Sequence, residues 1–459
     1  MKKKIIAMLL SVALMTGLMM GCGNGGAPAA DTPAADVAED VADAADDAAD
    51  DDTDEAPPVD TGDMVTLTLM IDRDTPLAGI EGVIAAAQAE LGINIEIEIR
   101  PGGLEGENLL RTRLATGDMS DLIFFNSGAL LHTLNPSEHF IDISNEPFVD
   151  RLDESFIVAV SEGDAIYGVP AGTFMAGAII YCIAMYEAHG LEVPNTWDEF
   201  MENIRVLDAA GETAIIGTYA DAWTSQVMWL GDAYNLFQAE PDFAVDFEAG
   251  IAKWENTPAA LRGFEKLAEV NPYLNSDFLA MTFDEGVDIM ANGEAGHWAM
   301  LSFVLTVVYD LYGREAADGL GIFGIPGDDG DRGLTVWVPN AIYGNAASEH
   351  REEILAFMEF FVSEAGAAAF VAAQPPEGPL GIRGFELPET ALRAARYDMQ
   401  AYFDAGRSAP ALEFITAIKG PNAPNITQAI GAGQMSPLEG AIQYDEDCAN
   451  QARQLGFDW

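Results

Sequence analysis

Cysteine and histidine are scarce in this chain of 459 residues, and their spacing excludes several kinds of site. The three cysteines are Cys22, Cys182 and Cys448, too few and too distant for a disulfide framework. We expect Cys182 and Cys448 to be buried free thiols, with one long-range bridge as the alternative. The five histidines, His297 beside Trp298 included, show no metal-ligand spacing, so structural roles are expected and no metal site is predicted.

Basic residues are also scarce. Lys and Arg number 21 against 75 Asp and Glu, which gives a formal net charge of −54. Because contacts to phosphate need Lys and Arg, nucleic acid and anionic lipid are excluded as ligands. The surplus carboxylates are interpreted as a solvated surface that keeps the protein soluble and monomeric. Adaptation to a salty or chemically harsh habitat is the alternative.

Long apolar runs are absent after the first 21 residues. A membrane-spanning helix needs roughly 20 apolar residues, and the stretch 299–309 is interrupted, so it is interpreted as buried core. The chain also lacks a nucleophile elbow, a metal-ligand cluster and a phosphate loop, so no cofactor and no catalytic residue is predicted. The part that follows residue 63 is long enough for two domains.

The first residues have the character of a secretory signal. Three lysines precede an apolar run that ends at Gly21, and residues 1–21 are predicted to be removed. Leu18-Met-Met-Gly-Cys22 resembles the bacterial lipobox, which implies cleavage before Cys22 and acylation of its thiol. The resemblance implies a protein anchored by lipid to the outer face of the cell membrane. An ordinary signal with a chance cysteine is the alternative.

Residues 22–63 form a compositionally distinct segment. Gly, Ala, Pro, Asp and Glu dominate it, and it contains no basic residue. Low hydrophobicity and self-repelling charge cannot offset the entropy lost on ordering, so we predict a disordered acidic tether. An acidic segment that binds cations or a basic partner is the alternative.

From residue 64 onward, strand and helix patterns alternate. Strands are predicted at 65–71, 93–99 and 122–125, and helices at 77–91 and about 107–116. This alternation predicts an α/β fold with a mostly parallel sheet. Thr196 followed by Glu199 predicts a capping box at the start of a later helix.

Polar loops after two of these strands are candidate ligand contacts. Ligands of open α/β sheets sit beyond the carboxyl ends of the strands. Asp72, Arg73 and Asp74 follow the first strand, and Asn126, Ser127 and Gly128 follow the third. Polar turns that merely cap helices are the alternative at each position.

Several segments, in order, resemble motifs of one family. They are Leu114-Ala-Thr-Gly-Asp-Met-Ser-Asp-Leu-Ile-Phe124, Gly163-Asp-Ala-Ile-Tyr-Gly-Val-Pro170, Gly190-Leu-Glu-Val-Pro-Asn-Thr-Trp-Asp-Glu-Phe200, Gly293-Glu-Ala-Gly-His-Trp-Ala-Met300 and Gly433-Gln-Met-Ser-Pro-Leu-Glu-Gly-Ala441. The chain is similar to the family 1 extracellular solute-binding proteins of ABC importers, which include maltose- and multiple-sugar-binding proteins. It departs from the family pattern at Ser120, Cys182 and Ile183, so the ligand is not fixed by the resemblance.

The resemblance implies a two-lobe periplasmic-binding-protein-like fold of type II. Each lobe is expected to hold a mixed, mostly parallel sheet flanked by helices, with hinge crossings between the lobes. The first lobe is predicted at 64–174 and 333–374, and the second at 175–332 and 375–459.

The resemblance also implies a function and further site residues. A sugar would bind between the lobes and pass to a permease with its ATPase subunits. Aromatic rings stack on sugar faces while polar groups bind hydroxyls. The implied site residues are Phe174, Asp221, Trp223, Trp298, Phe303 and Trp337. Asp74 and Asp221 are expected to bind hydroxyls, and Arg73 is expected to neutralise a carboxylate or meet an anionic sugar.

Two other functions remain open. A binding protein for an amino acid, peptide, polyamine or phosphate ester would share the fold. A secreted glycoside hydrolase would also be acidic and rich in aromatic residues. The family resemblance favours binding without catalysis.

Overall fold

The computed structural model describes residues 64–73, 75–101, 103–330, 332–457 and 459. The predicted signal, Cys22, the predicted tether and Asp74 lie outside the described residues. The predictions made for them therefore stay predictions.

Five strands form a first sheet with the order β2-β1-β3-β12-β6. They are β1 (Thr66–Asp72), β2 (Asn94–Arg100), β3 (Leu122–Phe125), β6 (Gly168–Pro170) and β12 (Ala341–Gly344). β1 pairs in parallel with β2 and β3, whereas β12 runs antiparallel to β3 and β6. The sheet is therefore mixed, and a single reversed strand makes it so.

Six strands form a second sheet with the order β13-β11-β7-β9-β8, in which β10 also pairs with β7. They are β7 (Met175–Cys182), β8 (Thr213–Ile216), β9 (Ala295–Leu301), β10 (Leu320–Gly324), β11 (Leu334–Trp337) and β13 (Ser408–Pro410). β7 runs antiparallel to β9, β10 and β11, while the pairs β8–β9 and β11–β13 are parallel. A small ribbon of β4 (Ser161–Glu162) and β5 (Ala165–Ile166) stands apart.

The reversed strand of each sheet is the strand that the chain enters from the other sheet. β6 leads across residues 171–174 into β7, and β11 leads across residues 338–340 into β12. A chain that leaves one sheet at its carboxyl edge and enters the next sheet at that sheet's carboxyl edge must run antiparallel to the neighbouring strands. The carboxyl edges of the two sheets are therefore the edges that the crossings join.

Helices flank both sheets. They are α1 (Ala78–Leu91), α2 (Gly103–Thr116), α3 (Ala129–His132), α4 (Pro136–His139), α5 (Glu154–Ala159), α6 (Ile183–His189), α7 (Trp197–Ala210), α8 (Val227–Leu230), α9 (Ala233–Ala239), α10 (Phe243–Glu248), α11 (Pro258–Val270), α12 (Phe283–Ala291), α13 (Val304–Tyr312), α14 (Arg314–Asp318), α15 (Arg351–Phe361), α16 (Glu364–Ala373), α17 (Gln400–Asp404), α18 (Ala423–Gly431) and α19 (Pro437–Leu455). Shorter 3₁₀ turns include Ala222–Gln226 and Leu412–Phe414, and Ala394–Met399 is a π-helix. Within the described ranges no single helix is long and apolar enough to cross a membrane, and α15 with α16 reaches that length only across a 66° bend.

Local signals account for the early elements. The predicted strands at 65–71, 93–99 and 122–125 are confirmed with shifts of at most one residue. The predicted capping box is confirmed, because the Thr196 hydroxyl accepts from the Glu199 N–H and the Glu199 carboxylate accepts from the Thr196 N–H. The second predicted helix begins at Gly103, earlier than its apolar periodicity indicated.

The fold is the expected two-lobe α/β class, and the predicted lobe bounds stay a prediction. One strand lies in the other lobe from that predicted: β11, placed in the first lobe by a boundary at residue 333, pairs with β7 and β13. The second crossing therefore begins after Trp337. A strand's partners are distant in sequence, so its own residues do not reveal which sheet it joins.

The second lobe buries His297 and both of its cysteines. Cys182 and Cys448 are buried free thiols. The His297 ring lies fully inside, with Nδ1 2.7 Å from the Ala214 carbonyl oxygen and Nε2 2.7 Å from the Tyr186 hydroxyl. Its role is therefore structural. Among the described residues no group of three or more His, Cys, Asp or Glu is arranged to hold a metal ion.

Candidate functional site

The two crossings run side by side between the carboxyl edges. The Ala171 N–H on the first crossing donates to the Asn340 carbonyl on the second at 2.9 Å. A third segment joins them, since the Phe174 N–H donates to the Pro379 carbonyl at 2.8 Å. Bundled crossings that bridge facing strand ends are the arrangement on which hinge closure depends.

The carboxyl edge of the second sheet carries three aromatic rings, which we name the edge aromatic cluster: Trp223, Phe283 and Phe303. The Trp223 ring lies 5.7 Å from the Phe283 ring and 6.4 Å from the Phe303 ring, and the Phe283 and Phe303 centroids lie 5.7 Å apart. Trp223 and Phe303 are half-buried, so part of each ring faces solvent. Trp223 follows β8 and Phe303 follows β9, and these neighbouring strands are parallel, so both residues emerge at the same edge.

Asp221 stands beside the edge aromatic cluster. Its Oδ2 accepts a hydrogen bond of 2.7 Å from the Phe283 N–H at the start of α12. The carboxylate thus fixes the helix that carries Phe283, while the side chain remains partly exposed. The structure brings three sequence-predicted residues together here, namely Asp221, Trp223 and Phe303.

The carboxyl edge of the first sheet is polar. Oδ2 of Asp72 lies 3.6 Å from the buried Arg100 guanidinium and accepts a hydrogen bond of 2.9 Å from the Thr75 hydroxyl. Burial lowers the pKa of Arg100, and Asp72 opposes that shift. Arg73 is exposed beside this pair. Asp72 therefore has a structural partner that sequence reasoning did not identify.

The loop after β3 holds a hydroxyl without a partner. Ser127 is 4% exposed, and its Oγ has no hydrogen-bond partner among the described residues. The neighbouring Asn126 is half-buried, and its carbonyl accepts from the Tyr343 hydroxyl at 3.0 Å. Buried hydroxyls in native proteins almost always have a partner, so an unpartnered one at a strand end is a candidate ligand contact.

Three predicted aromatic contacts are core residues in the structure. Trp298 is 1% exposed and packs 5.5 Å from Phe283, and Phe174 is fully buried 4.9 Å from Phe403. Trp337 is 9% exposed, and its ring covers Gly177, where an added Cβ would lie 2.4 Å from it. Since their rings pack inward in this conformation, we leave these residues out of the site proposed below.

Sequence reasoning missed two residues that lie at the second edge. Phe283 follows Thr282, whose capping box with Glu285 is a local signal that could have located the start of α12. Phe414 ends the 3₁₀ turn after β13 and had no such signal, because β13 pairs with a strand far away in sequence.

A separate recess lies within the second lobe. Its lining includes Trp229, Trp254, Lys419 and Tyr444 on and beside α8, α11 and α19. Its empty volume of about 440 Å³ includes the solvent at its mouth. None of the sequence-predicted site residues lines this recess.

Comparison with protein families gives one extended match. The family described as bacterial extracellular solute-binding protein matches residues 73–368. The multiple sugar-binding protein of Streptococcus mutans is 25% identical over 164 residues, 35% of this chain and 38% of that protein. An uncharacterized ABC transporter extracellular-binding protein of Pyrococcus horikoshii is 21% identical over 277 residues, 59% of this chain and 62% of that protein. The chain thus matches less than two thirds of the length of either relative.

Solved structures share the fold over nearly their full length. RafE from Streptococcus pneumoniae, in its apo form, gives a TM-score of 0.69 at 18% identity over 85% of this chain and 99% of RafE. RafE has also been solved in complex with raffinose. The bacterial solute receptor AcbH, which has an exclusive substrate preference for β-D-galactopyranose, gives a TM-score of 0.71 at 14% identity over 85% of this chain and 99% of AcbH. Since the family match spans more than half of the chain and the fold agrees, this protein belongs to the bacterial extracellular solute-binding protein family.

Proposed function

We propose that this protein binds a carbohydrate between its two lobes and delivers it to an ABC permease and its ATPase subunits. The observation that carries the proposal is the edge aromatic cluster, in which Trp223 and Phe303 are half-buried, with Asp221 beside it. Family membership supports solute binding, and the sugar receptors among its relatives support a carbohydrate as the solute.

The chemistry of the two edges suits a sugar. The Trp223 and Phe303 rings offer apolar faces on which the C–H face of a pyranose can stack. Asp221, Ser127 and Asn126 offer polar groups to hydroxyls from both edges. Asp72 and Arg73, with Asp74 outside the described residues, complete the proposed set.

Hinge closure would retain the ligand. A solute that contacts both edges binds the closed form more tightly than the open form, and it shifts the equilibrium by that difference. The permease would then recognise the closed form. We propose binding without catalysis, by a monomer.

Anchoring is a separate part of the proposal. Acylation of Cys22 and an acidic tether at 22–63 would hold the two lobes near the outer face of the membrane. We propose lobes at 64–174 with 338–374 and at 175–337 with 375–459, adjusted for the sheet to which β11 belongs. Mass spectrometry of the mature protein tests the lipid, since an unmodified Cys22 would contradict it.

A thermal-shift screen followed by calorimetry tests the ligand class. Galactose, raffinose, maltose and chitin disaccharide form the sugar set, with amino acids and spermidine as the comparison set. A ligand at a hundred times its dissociation constant adds roughly 2.7 kcal/mol to stability, which such a screen detects. Stabilisation by the comparison set alone would contradict the carbohydrate proposal, and release of reducing ends from an oligosaccharide would contradict binding without catalysis.

The site is tested on whichever sugar binds. Trp223→Ala should weaken binding by about tenfold or more, the change that a loss of roughly 1.4 kcal/mol produces. Tyr397→Ala is the control, because Tyr397 is a 59% exposed aromatic in the second lobe that lies outside the edge aromatic cluster. Equal effects of the two substitutions would contradict the site.

A further inference from the structure

One of the contacts between the two lobes is made by a glycine. Gly128 lies in the first lobe after β3, and Phe414 lies in the second lobe after β13. A Cβ built on Gly128 would lie 2.6 Å from Cα of Phe414 and 2.7 Å from its carbonyl oxygen. Any side chain at position 128 would therefore meet the backbone of the opposite lobe.

The loop that carries Gly128 is held firmly. Gly128 has φ 71° and ψ −145°, a conformation that residues with a Cβ rarely adopt. Its N–H donates to the Ala159 carbonyl at the end of α5 at 2.6 Å. At the other end of α5, the Ser155 hydroxyl lies 2.8 Å from the Ser408 hydroxyl on β13. α5 and β13 thus support the contact from both lobes.

The contact between Gly128 and Phe414 lies close to the second crossing. β3 is the neighbour of β12, β13 is the neighbour of β11, and β11 leads into β12 through the second crossing. Gly128 and Phe414 both follow the carboxyl ends of their strands, so they lie on the edges that approach each other when the lobes close. Closure that brings these two edges together would tighten this contact, and a stop at this point would limit the approach of residues farther from the crossing.

We propose that Gly128 is a positioning residue for lobe closure. Because Gly128 has no Cβ, the carboxyl edges of the two sheets can approach until the Cα of Gly128 meets the backbone of Phe414. The distance between the edges when the ligand is held is then set at position 128. The effect on ligand affinity rests on the proposed function, whereas the effect on the distance between the lobes does not.

The experiment compares two glycine variants. Gly128→Ala adds the Cβ that meets Phe414. Gly117→Ala is the matched control, because Gly117 has φ 73°, lies in the same lobe, and has nothing within 4 Å of an added Cβ. Gly128 and Gly117 both have a positive φ, and of the two variants only Gly128→Ala adds an atom between the lobes.

The first readout is the distance between the lobes. Full chains in a Cys22→Ser background carry nitroxide labels at Glu90→Cys on α1 and Glu202→Cys on α7, both exposed, while Cys182 and Cys448 are buried. Double electron–electron resonance without ligand should give longer distances for Gly128→Ala than for the parent and Gly117→Ala. Equal distances in all three proteins would overturn the proposal.

The second readout is affinity for galactose and raffinose. Gly128→Ala should bind the sugar about tenfold more weakly than Gly117→Ala, within the usual range of coupling between conformation and binding. If neither sugar nor any other carbohydrate binds the parent, the proposed function fails while the ligand-free distances still decide the role of Gly128.

A second variant covers the case in which Gly128→Ala does not fold. The double substitution Ser155→Ala with Ser408→Ala removes one hydrogen bond between the lobes without adding an atom. It should broaden the distance distribution toward longer values and weaken sugar binding by a few fold, less than Gly128→Ala. A distribution and an affinity identical to those of the parent would contradict a supporting role for α5 and β13.

Discussion

Two aromatic clusters of the second lobe have similar residues and different surroundings. The core aromatic cluster comprises Trp229, Trp254, Phe264 and Tyr444, and its members are at most 5% exposed. Trp229 lies 4.9 Å from Phe264 and 4.8 Å from Tyr444, closer than any pair within the edge aromatic cluster. The core cluster lies among α8, α11 and α19, whereas the edge cluster lies beyond the ends of β8 and β9. Location relative to strand ends, rather than residue type, separates a stabilising cluster from a candidate ligand surface.

The largest effect on stability is expected in the core aromatic cluster. Trp229→Ala should lower the free energy of unfolding by about 3–5 kcal/mol, because it removes a large buried ring. Urea unfolding measures the loss. Trp229→Phe is the control: the Trp229 Nε1 has no hydrogen-bond partner among the described residues, so a smaller ring should cost much less. A loss below about 1 kcal/mol for Trp229→Ala would contradict this assignment.

A comparable loss is expected where the core holds a charge. Lys266 is buried, with Nζ 2.6 Å from the buried Asp232 carboxylate. Lys266→Met leaves that carboxylate buried without its cation and should cost about 3–5 kcal/mol in urea unfolding. Arg205→Met is the control, because the Arg205–Glu202 pair is exposed and exposed pairs contribute little to stability. Similar losses for the two variants would contradict the distinction.

The buried histidine should make stability depend on pH. Burial lowers the pKa of His297 from 6.5 to about 4. The unfolded chain therefore binds the proton more tightly than the folded chain. The stability that the neutral His297 contributes is complete above about pH 6.5 and is lost as the pH falls toward 4. The total loss is on the order of 3 kcal/mol.

Melting temperatures between pH 7 and pH 4 test the role of His297. His297→Gln should show a smaller decline than the parent, since the variant has no group to protonate at this position. His132→Gln is the control, because His132 is exposed on the first lobe. Parallel curves for the parent and His297→Gln would contradict the assignment.

In the edge aromatic cluster, unlike the core aromatic cluster, a substitution should affect sugar binding more than stability. Trp223 is half-buried, so Trp223→Ala should cost less in urea unfolding than Trp229→Ala while it weakens sugar binding by about tenfold or more. Trp229→Ala should therefore have the larger effect in the unfolding experiment, and Trp223→Ala should have the larger effect in the binding experiment. If Trp229→Ala weakens binding as much as Trp223→Ala in protein that remains folded, the comparison of the two clusters fails.

The smallest effect is expected at the cap of α12, which carries Phe283. Thr282→Ala removes the capping box with Glu285 and should cost about 1 kcal/mol. Ser436→Ala removes the equivalent capping box of α19, away from the edge aromatic cluster, and should cost a similar amount. Calorimetry with a bound sugar should show a few-fold loss of affinity for Thr282→Ala alone. Equal affinities would indicate that the position of Phe283 does not depend on its cap.

Prediction from sequence succeeded where the signal was local. Strand alternation at 93–99 and the capping box at Thr196 depend on residues within a few positions of one another, and both are confirmed. Asp221 and Trp223 lie together beside Phe303 for a reason that the α/β pattern already contains, since neighbouring parallel strands end at the same edge. Their role as ligand contacts stays a prediction.

Prediction failed where burial depended on distant partners. Trp298 lies within a family motif, but its ring turns toward α12 and is covered by Phe283. The predicted boundary at residue 333 separates β11 from its neighbours, β7 and β13, because these strands lie far away on both sides in the sequence. Neither the direction of a ring nor the choice of sheet is encoded in the few residues around it.

The sequence by itself determined the alternation of strands and helices, the acidic surface and the family of this protein. Each of these depends on composition or on residues near one another along the chain. The tertiary structure alone decided which aromatic rings face the strand ends and which become core, and it brought Gly128 against Phe414. Those outcomes depend on packing between segments that are remote in sequence, where shape and available volume decide which side chains remain accessible.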